Sequence, residues 1–294
     1  MSRKFSIITP DDFSYLHTVR SHGWYDLAPY KLSDDARLSA VLFRGVFDTA
    51  VEVEIAGKPG KIEIKVLADS FDRKGVERDI RHILRLDENY GEFYRCIEDQ
   101  KQVVWAQEAR AGRLLRGPNV WEDLVKTMCT TNCSWALTRI MVNNLVNELG
   151  EPARTGVKGF PTAQAMADRD ETFYRERIKA GYRAPFFVEL AQRTVAGEIE
   201  PETWLTSNLT TEDLRKEMKK IKGVGDYAAD NLLKLVGRYD GLALDSFLRG
   251  KFYEKHNKGK KCKDIKIERY YKRFKDWRGL AIWCDMTEDW FKGI

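Results

Sequence analysis

The chain has 294 residues, 43% hydrophobic and 32% charged, with a formal net charge of +5. That length and apolar content suffice for a substantial core in one large domain or two smaller ones, which excludes a disordered or low-complexity protein. No apolar run approaches membrane-spanning length, and the opening MSRKFSIITPDDF lacks the apolar stretch of a secretory signal. The expectation is an intracellular globular protein with no membrane partner.

In chain order, the first strong signal is a hairpin. Residues 51–55 alternate as VEVEI, a Gly- and Pro-containing turn AGKPGK follows, and residues 62–66 alternate again as IEIKV. With the apolar stretch at 40–47, this predicts a sheet with one polar face. From Val76 onward the pattern is mainly helical, with residues 79–86 and 93–111 as early elements. Asn119 caps a helix running to Cys129, the triplet Thr130, Thr131 and Asn132 interrupts it, and Ser134 starts a second that Gly150 and Pro152 end. Thr162 caps a short helix, residues 184–195 form another, and 211–221 lead into a tight turn. Helix-on-helix packing around a cleft is the expected architecture.

The five cysteines, Cys96, Cys129, Cys133, Cys262 and Cys284, are odd in number and lack zinc-type spacing. Free thiols in a reducing compartment, and no metal, are expected. Cys129 and Cys133, four apart, could share a helix face as core packing. Charge is distributed unevenly. Residues 249–278 hold thirteen Lys or Arg against four Asp or Glu, a local +9 that leaves the rest of the chain at −4 (5 − 9). Interleaved with Tyr253, Tyr270, Tyr271, Phe274 and Trp277, this run suits a surface that packs on one side and meets phosphates on the other. Arg249 at its start is a candidate DNA contact.

The richest segment is 221–249, IKGVGDYAADNLLKLVGRYDGLALDSFLR. Gly223 and Gly225 can adopt positive φ, so the backbone of Gly223, Val224 and Gly225 could converge on an anion at the start of a helix. Asp245 follows Gly225 by twenty positions (245 − 225) at the mouth of another helix. Taken singly, Gly-Val-Gly is often a sharp connection and Asp before Ser-Phe-Leu-Arg an N-cap. Together they form a unit that can grip a phosphodiester and place one carboxylate beside it. Asp226, Asp230 and Asp240 are nearby competitors, more suited to capping or solvated roles.

This segment resembles the hairpin of the helix-hairpin-helix superfamily of DNA base-excision glycosylases. Further blocks are similar to 8-oxoguanine and 3-methyladenine DNA glycosylases in the same order: RLLRGPNVWEDLVKTMCTTNCSWALTRI from Arg113, FPTAQAMA from Phe160 and AGYRAPFF from Ala180. The resemblance spans residues 80–256. It implies an α+β fold, a mainly helical two-lobed body at 77–294 behind a small N-terminal antiparallel β domain at 1–76. It also implies a monomer acting on double-stranded DNA that contains a damaged base, with Asp245 stabilising positive charge on the deoxyribose as the base leaves. Bifunctional members have a nucleophilic lysine two positions after the second hairpin glycine. Tyr227 stands there, which implies a monofunctional hydrolase; Lys222 and Lys234 do not match that position. Some relatives bind an iron-sulfur cluster through four cysteines after the catalytic Asp, whereas only Cys262 and Cys284 follow Asp245, so no cofactor is expected. Asn132 matches the asparagine that oxoguanine enzymes present to the space left by the flipped base. Trp135 and Tyr227 are candidate pocket walls. The missing lysine favours alkylated bases, while CTTNCS and GYRAPFF look closer to 8-oxoguanine enzymes. A non-catalytic helix-hairpin-helix DNA grip is the further alternative.

Overall fold

The computed structural model describes residues 3–44 and 49–292. Near the N-terminus, β1 (Arg3–Ile8), β2 (Lys31–Leu32), β3 (Leu38–Phe43), β4 (Ala50–Lys58) and β5 (Lys61–Val66) form one antiparallel sheet in the order β1-β5-β4-β3-β2. The predicted hairpin is β4–β5. Lys58 pairs with Lys61 across Pro59 and Gly60, and Gly60 takes the positive φ of 69° that closes so short a turn. Val51, Val53 and Ile55 on β4 and Ile62, Ile64 and Val66 on β5 are buried, each contributing about 2 kcal/mol of apolar burial. The alternating Glu and Lys lie on the other face. Positions 45–47 of the predicted apolar stretch fall outside the described residues. β1 was not expected from the sequence, because on this edge strand only Ile7 is buried and the period-two signal is weak.

The helices that follow are α1 (Arg73–Leu84), α2 (Val120–Thr130), α3 (Trp135–Leu149), α4 (Ala184–Val195), α5 (Thr211–Met218), α6 (Asp226–Leu235), α7 (Ser246–His256), α8 (Asp264–Tyr271) and α9 (Arg278–Thr287), with short helical turns between. The arrangement is the α+β, mainly helical one expected. No helix among the described residues is long and apolar enough to cross a membrane. The caps behave as the sequence indicated: Asn119 accepts from the Glu122 amide at 2.8 Å, Ser134 from Leu137 at 3.3 Å, and Thr162 from Ala165 at 3.2 Å.

Residues 93–111, expected as one helix, are two short ones, Gly91–Ile97 and Trp105–Glu108. Phe93, Ile97, Val103 and Ala106 all enter one core. A continuous helix would rotate Val103 about 240° from Ile97, six residues at ~100° each. Turn bonds from Gln100 N to Ile97 O and from Val103 N to Gln100 O, both 2.9 Å, bring it back. Cys129 and Cys133 do not share a helix either: α2 ends first, and the Cys133 thiol donates to the Cys129 carbonyl at 3.0 Å.

Two large cores hold most of the buried apolar side chains. One joins the inner face of the sheet to α2, α3, α4 and α6, and the other gathers residues 90–114 with the chain from Tyr239 to Met286. Helix α6 belongs to the first core and the loop leaving it to the second. Its C-terminal end is held by two buried cations, where the helix dipole favours positive charge. Arg85 donates to the carbonyls of Lys234 at 2.7 Å and Leu235 at 2.6 Å, and Arg116 donates to Leu235 O at 2.5 Å. Glu88 neutralises both guanidiniums, at 2.9 and 2.8 Å.

Candidate active site

The hairpin consists of α5, the turn at 219–225 and α6. Gly223 has φ 91°, and a Cβ there would lie 2.9 Å from the Phe186 ring and 3.0 Å from the Met128 methyl, so conformation and space both require glycine. Gly225 corrects the expectation of a second positive φ: its φ is −87° with ψ −171°, ordinary extended backbone. A Cβ at Gly225 would meet nothing within 4 Å, so the fold itself does not demand a glycine there. Gly225 is the N-cap of α6 and provides no side-chain acceptor, so the first amides of that helix are open towards solvent.

From the C-terminal end of α6 the chain doubles back along the helix. Gly241 lies against Asp230, where a Cβ would sit 3.6 Å from the carboxyl carbon, and four residues further on the charge of Asp245 acts on the Tyr227 phenol. Helix α9 fixes this return segment. Gly279 N donates to Tyr239 O at 2.6 Å, Arg278 Nε donates to Asp240 O, and a Cβ at Gly279 would collide with the Gly241 carbonyl. Asp245 is the N-cap of α7, its Oδ1 accepting from the Leu248 amide at 2.7 Å. No basic side chain pairs with it among the described residues. Two of the three competing carboxylates are engaged: Arg215 binds Asp226 at 2.9 Å and Asp230 at 2.5 Å, and Lys219 also binds Asp226 at 2.6 Å.

Of the aromatic side chains nearby, Tyr227 feels this carboxylate directly. The Tyr227 phenol is pushed above its ordinary pKa, by burial first and then by the negative charge of Asp245, so it stays neutral. Trp135 is 39% exposed, donates to Asp26 Oδ2 at 2.8 Å, and lies so close to Gly23 that a Cβ there would sit 2.3 Å from its ring. Trp283, which the sequence reading did not single out, donates to the Ser21 carbonyl at 3.0 Å. Two indoles thus dock on the single segment 21–26. Lys234, set aside earlier because it does not match the nucleophile position, is 2% exposed, with its amine 5.1 Å from the centroid of the Trp283 ring.

Asn132 occupies the break between α2 and α3 in the left-handed conformation, φ 46°, exposed, with its amide nitrogen 3.4 Å from the Tyr182 hydroxyl. Tyr182 is 49% exposed and was not singled out, although it lies in the quoted AGYRAPFF block. Beneath them Arg183 is buried and donates to the Thr131 carbonyl, bracing the turn. Arg249, expected to face DNA, is held by a two-pronged ion pair to Asp264 at 2.9 and 2.8 Å. The basic run beyond it is free: Lys258, Lys260, Lys261 and Lys263 are exposed, with no carboxylate paired to them among the described residues.

No family model matches the chain. An 8-oxoguanine glycosylase/lyase from Clostridium acetobutylicum, solved with double-stranded DNA containing cytosine opposite 8-oxoG, superposes with a TM-score of 0.77 at 17% identity, covering 100% of this chain and 99% of that one. A 3-methyladenine DNA glycosylase from Archaeoglobus fulgidus gives 0.78 at 17% identity, covering 99% and 100%. An N-glycosylase/DNA lyase of Saccharomyces cerevisiae is 23% identical over 193 residues, 62% of this chain and 51% of that protein. The chain therefore matches about half the length of that curated relative. Across its whole described length it has the fold of the helix-hairpin-helix DNA glycosylases.

Proposed function

We propose that this protein is a DNA base-excision glycosylase that turns a damaged purine out of duplex DNA and hydrolyses its N-glycosidic bond. The observation that carries this reading is the situation of Asp245. It stands close enough to the hairpin for its charge to act on Tyr227, with one oxygen on the α7 amide and no cation pairing with it among the described residues, while its neighbours Asp226 and Asp230 are tied to Arg215.

Each part of the reaction has a residue to match. A glycosidic bond inside a duplex is out of reach until its nucleotide leaves the stack. The open amides at the start of α6, reached over the vacant space beside Gly225, hold a backbone phosphate, and the exposed lysines at 258–263 neutralise others. Asn132 and the Tyr182 ring fill the gap the base leaves. As the base departs, positive charge grows on the sugar, and the unengaged oxygen of Asp245 stabilises it and orients water. With a phenol at position 227, no amine stands where bifunctional enzymes have their nucleophile, so water completes the reaction and no strand is cut.

The test is base release from duplexes carrying 3-methyladenine, hypoxanthine or 8-oxoguanine, with borohydride added in parallel. Release without a trapped protein–DNA adduct is expected. Salt-dependent DNA binding without release of any base reduces the chain to a DNA grip, and a trapped adduct overturns the hydrolytic route.

A further inference from the structure

Helix α6 carries a lysine that the proposed chemistry does not use. Lys234 is buried to 2% exposure, and its amine makes no hydrogen bond or ion pair among the described residues; its one contact of note is the face of Trp283 at 5.1 Å. Burying a lysine in this way is costly, and an amine left without a hydrogen-bond partner is a common sign that something else completes it. Its place on the helix is informative. Seven residues separate it from Tyr227, two turns, so both lie on one face of α6, and a helical side chain leans back towards the N-terminus, here towards Tyr227. Asp245 is the strongest opposite charge felt by Lys234, and it also acts on Tyr227. Trp283, over the amine, and Trp135 both dock on segment 21–26, one on the Ser21 carbonyl and the other on Gly23. Carboxylate, phenol, the Trp283 indole and amine therefore converge on one region, which segment 21–26 borders.

We infer that Lys234 is a specificity-determining residue, whose ammonium group reads an acceptor edge of the extruded base, so that the enzyme selects neutral oxopurines and rejects cationic alkylpurines. This rests on the glycosylase reading above and reverses the lean towards alkylated bases that the missing hairpin lysine suggested. A carbonyl oxygen on the purine completes the amine's unmet hydrogen bonding, whereas a methylated, positively charged ring meets like charge at the closed end of its site. Burial lowers the Lys234 amine to about 8, partly offset by Asp245 and Asp230, so it carries its proton at neutral pH. The groups facing it are Asp230 on its own helix, Asp245, Cys284 on α9 and the His22 ring of the docking segment, which burial lowers to about 3 and keeps uncharged.

The experiment compares single-turnover release of hypoxanthine and of 3-methyladenine by wild type and by Lys234→Met, which keeps the length and removes the charge. The ratio of the two rates is expected to favour hypoxanthine in wild type and to shift towards 3-methyladenine by tenfold or more in the variant. Should Lys234→Met fail to fold, the wild type alone decides: hypoxanthine release should fall as pH rises through 8 while 3-methyladenine release does not. A folded variant with an unchanged ratio, or parallel pH profiles for both bases, overturns the inference and leaves the glycosylase reading standing. A wild type that releases no base from any duplex removes both.

Discussion

Replacing Asp245 with asparagine separates the two tasks of that side chain. The Leu248 amide is satisfied by an oxygen at 2.7 Å, and the asparagine oxygen can accept the same bond, since Asn and Asp are about equal as N-caps. Loss of fold stability should stay within about 0.5 kcal/mol, because no ion pair to Asp245 is broken. The charge effect is larger. A full negative charge about 4 Å from a developing positive one is worth about 4 kcal/mol at an effective dielectric near 20, roughly a thousandfold in rate. Asp245→Asn should therefore lower single-turnover base release by about 10² to 10³, with unchanged melting and unchanged affinity for an abasic duplex measured by fluorescence anisotropy. Asp245→Ala should in addition lose about 1 kcal/mol of helix capping. A folded asparagine variant within tenfold of wild type refutes the assignment of Asp245 to the sugar.

The two hairpin glycines should respond in opposite ways. Gly223→Ala forces a side chain into positive φ and against Phe186 and should cost about 1–3 kcal/mol in thermal unfolding, whereas Gly225→Ala should melt like wild type yet bind duplex DNA at least tenfold more weakly. Replacing Lys258, Lys260, Lys261 and Lys263 with glutamine should flatten the dependence of log affinity on log salt by about 3 to 4, while Arg249→Gln, losing a group already committed to Asp264, should change that slope by less than about 1. The Glu88 carboxyl gives an acid-stability test. Burial alone would raise it, but Arg85 and Arg116 outweigh burial and hold it near 2. Because its folded value is depressed, its contribution is complete above about 4.5 and disappears as pH falls through 2. Glu88→Gln should remove that stretch of the acid profile and cost on the order of 2 kcal/mol at pH 7, read by denaturant titration, allowing for its partly exposed edge.

What the sequence revealed followed how local each signal is. The caps Asn119, Ser134 and Thr162 and the β4–β5 hairpin are decided within a few residues, so the sequence and the structure agree on them. The grouping of Gly223, Gly225 and Asp245 was readable because all three lie within about twenty residues. The docking of Trp135 and Trp283 on segment 21–26, and the placing of Lys234 under Trp283, were not, since these stretches lie far apart in the chain. Lys234 did leave one trace: it is a lone charge in the apolar run LLKLV, and such a residue has to be either exposed or matched. The break at 98–104 was hidden because GEFYRCIEDQ and WAQEA each suit a helix, and only the demands of the second core separate them. Arg249 appeared free because its partner Asp264 comes fifteen residues later, across the turn between α7 and α8.

On the proposed function, the way α6 is fastened bears on how a bound duplex would behave. Two guanidiniums clamp the far end of that helix and a glycine-cut corner with α9 pins the strap behind it, while the near end opens on a glycine cap with no side-chain acceptor for the first amides. A helix anchored like this cannot swing to meet an incoming strand. The distortion needed to bring phosphate and sugar into register therefore falls on the nucleic acid, and stretches that kink readily, such as pyrimidine–purine steps or destabilised pairs, should be searched and seized faster than stiff ones bearing the same lesion.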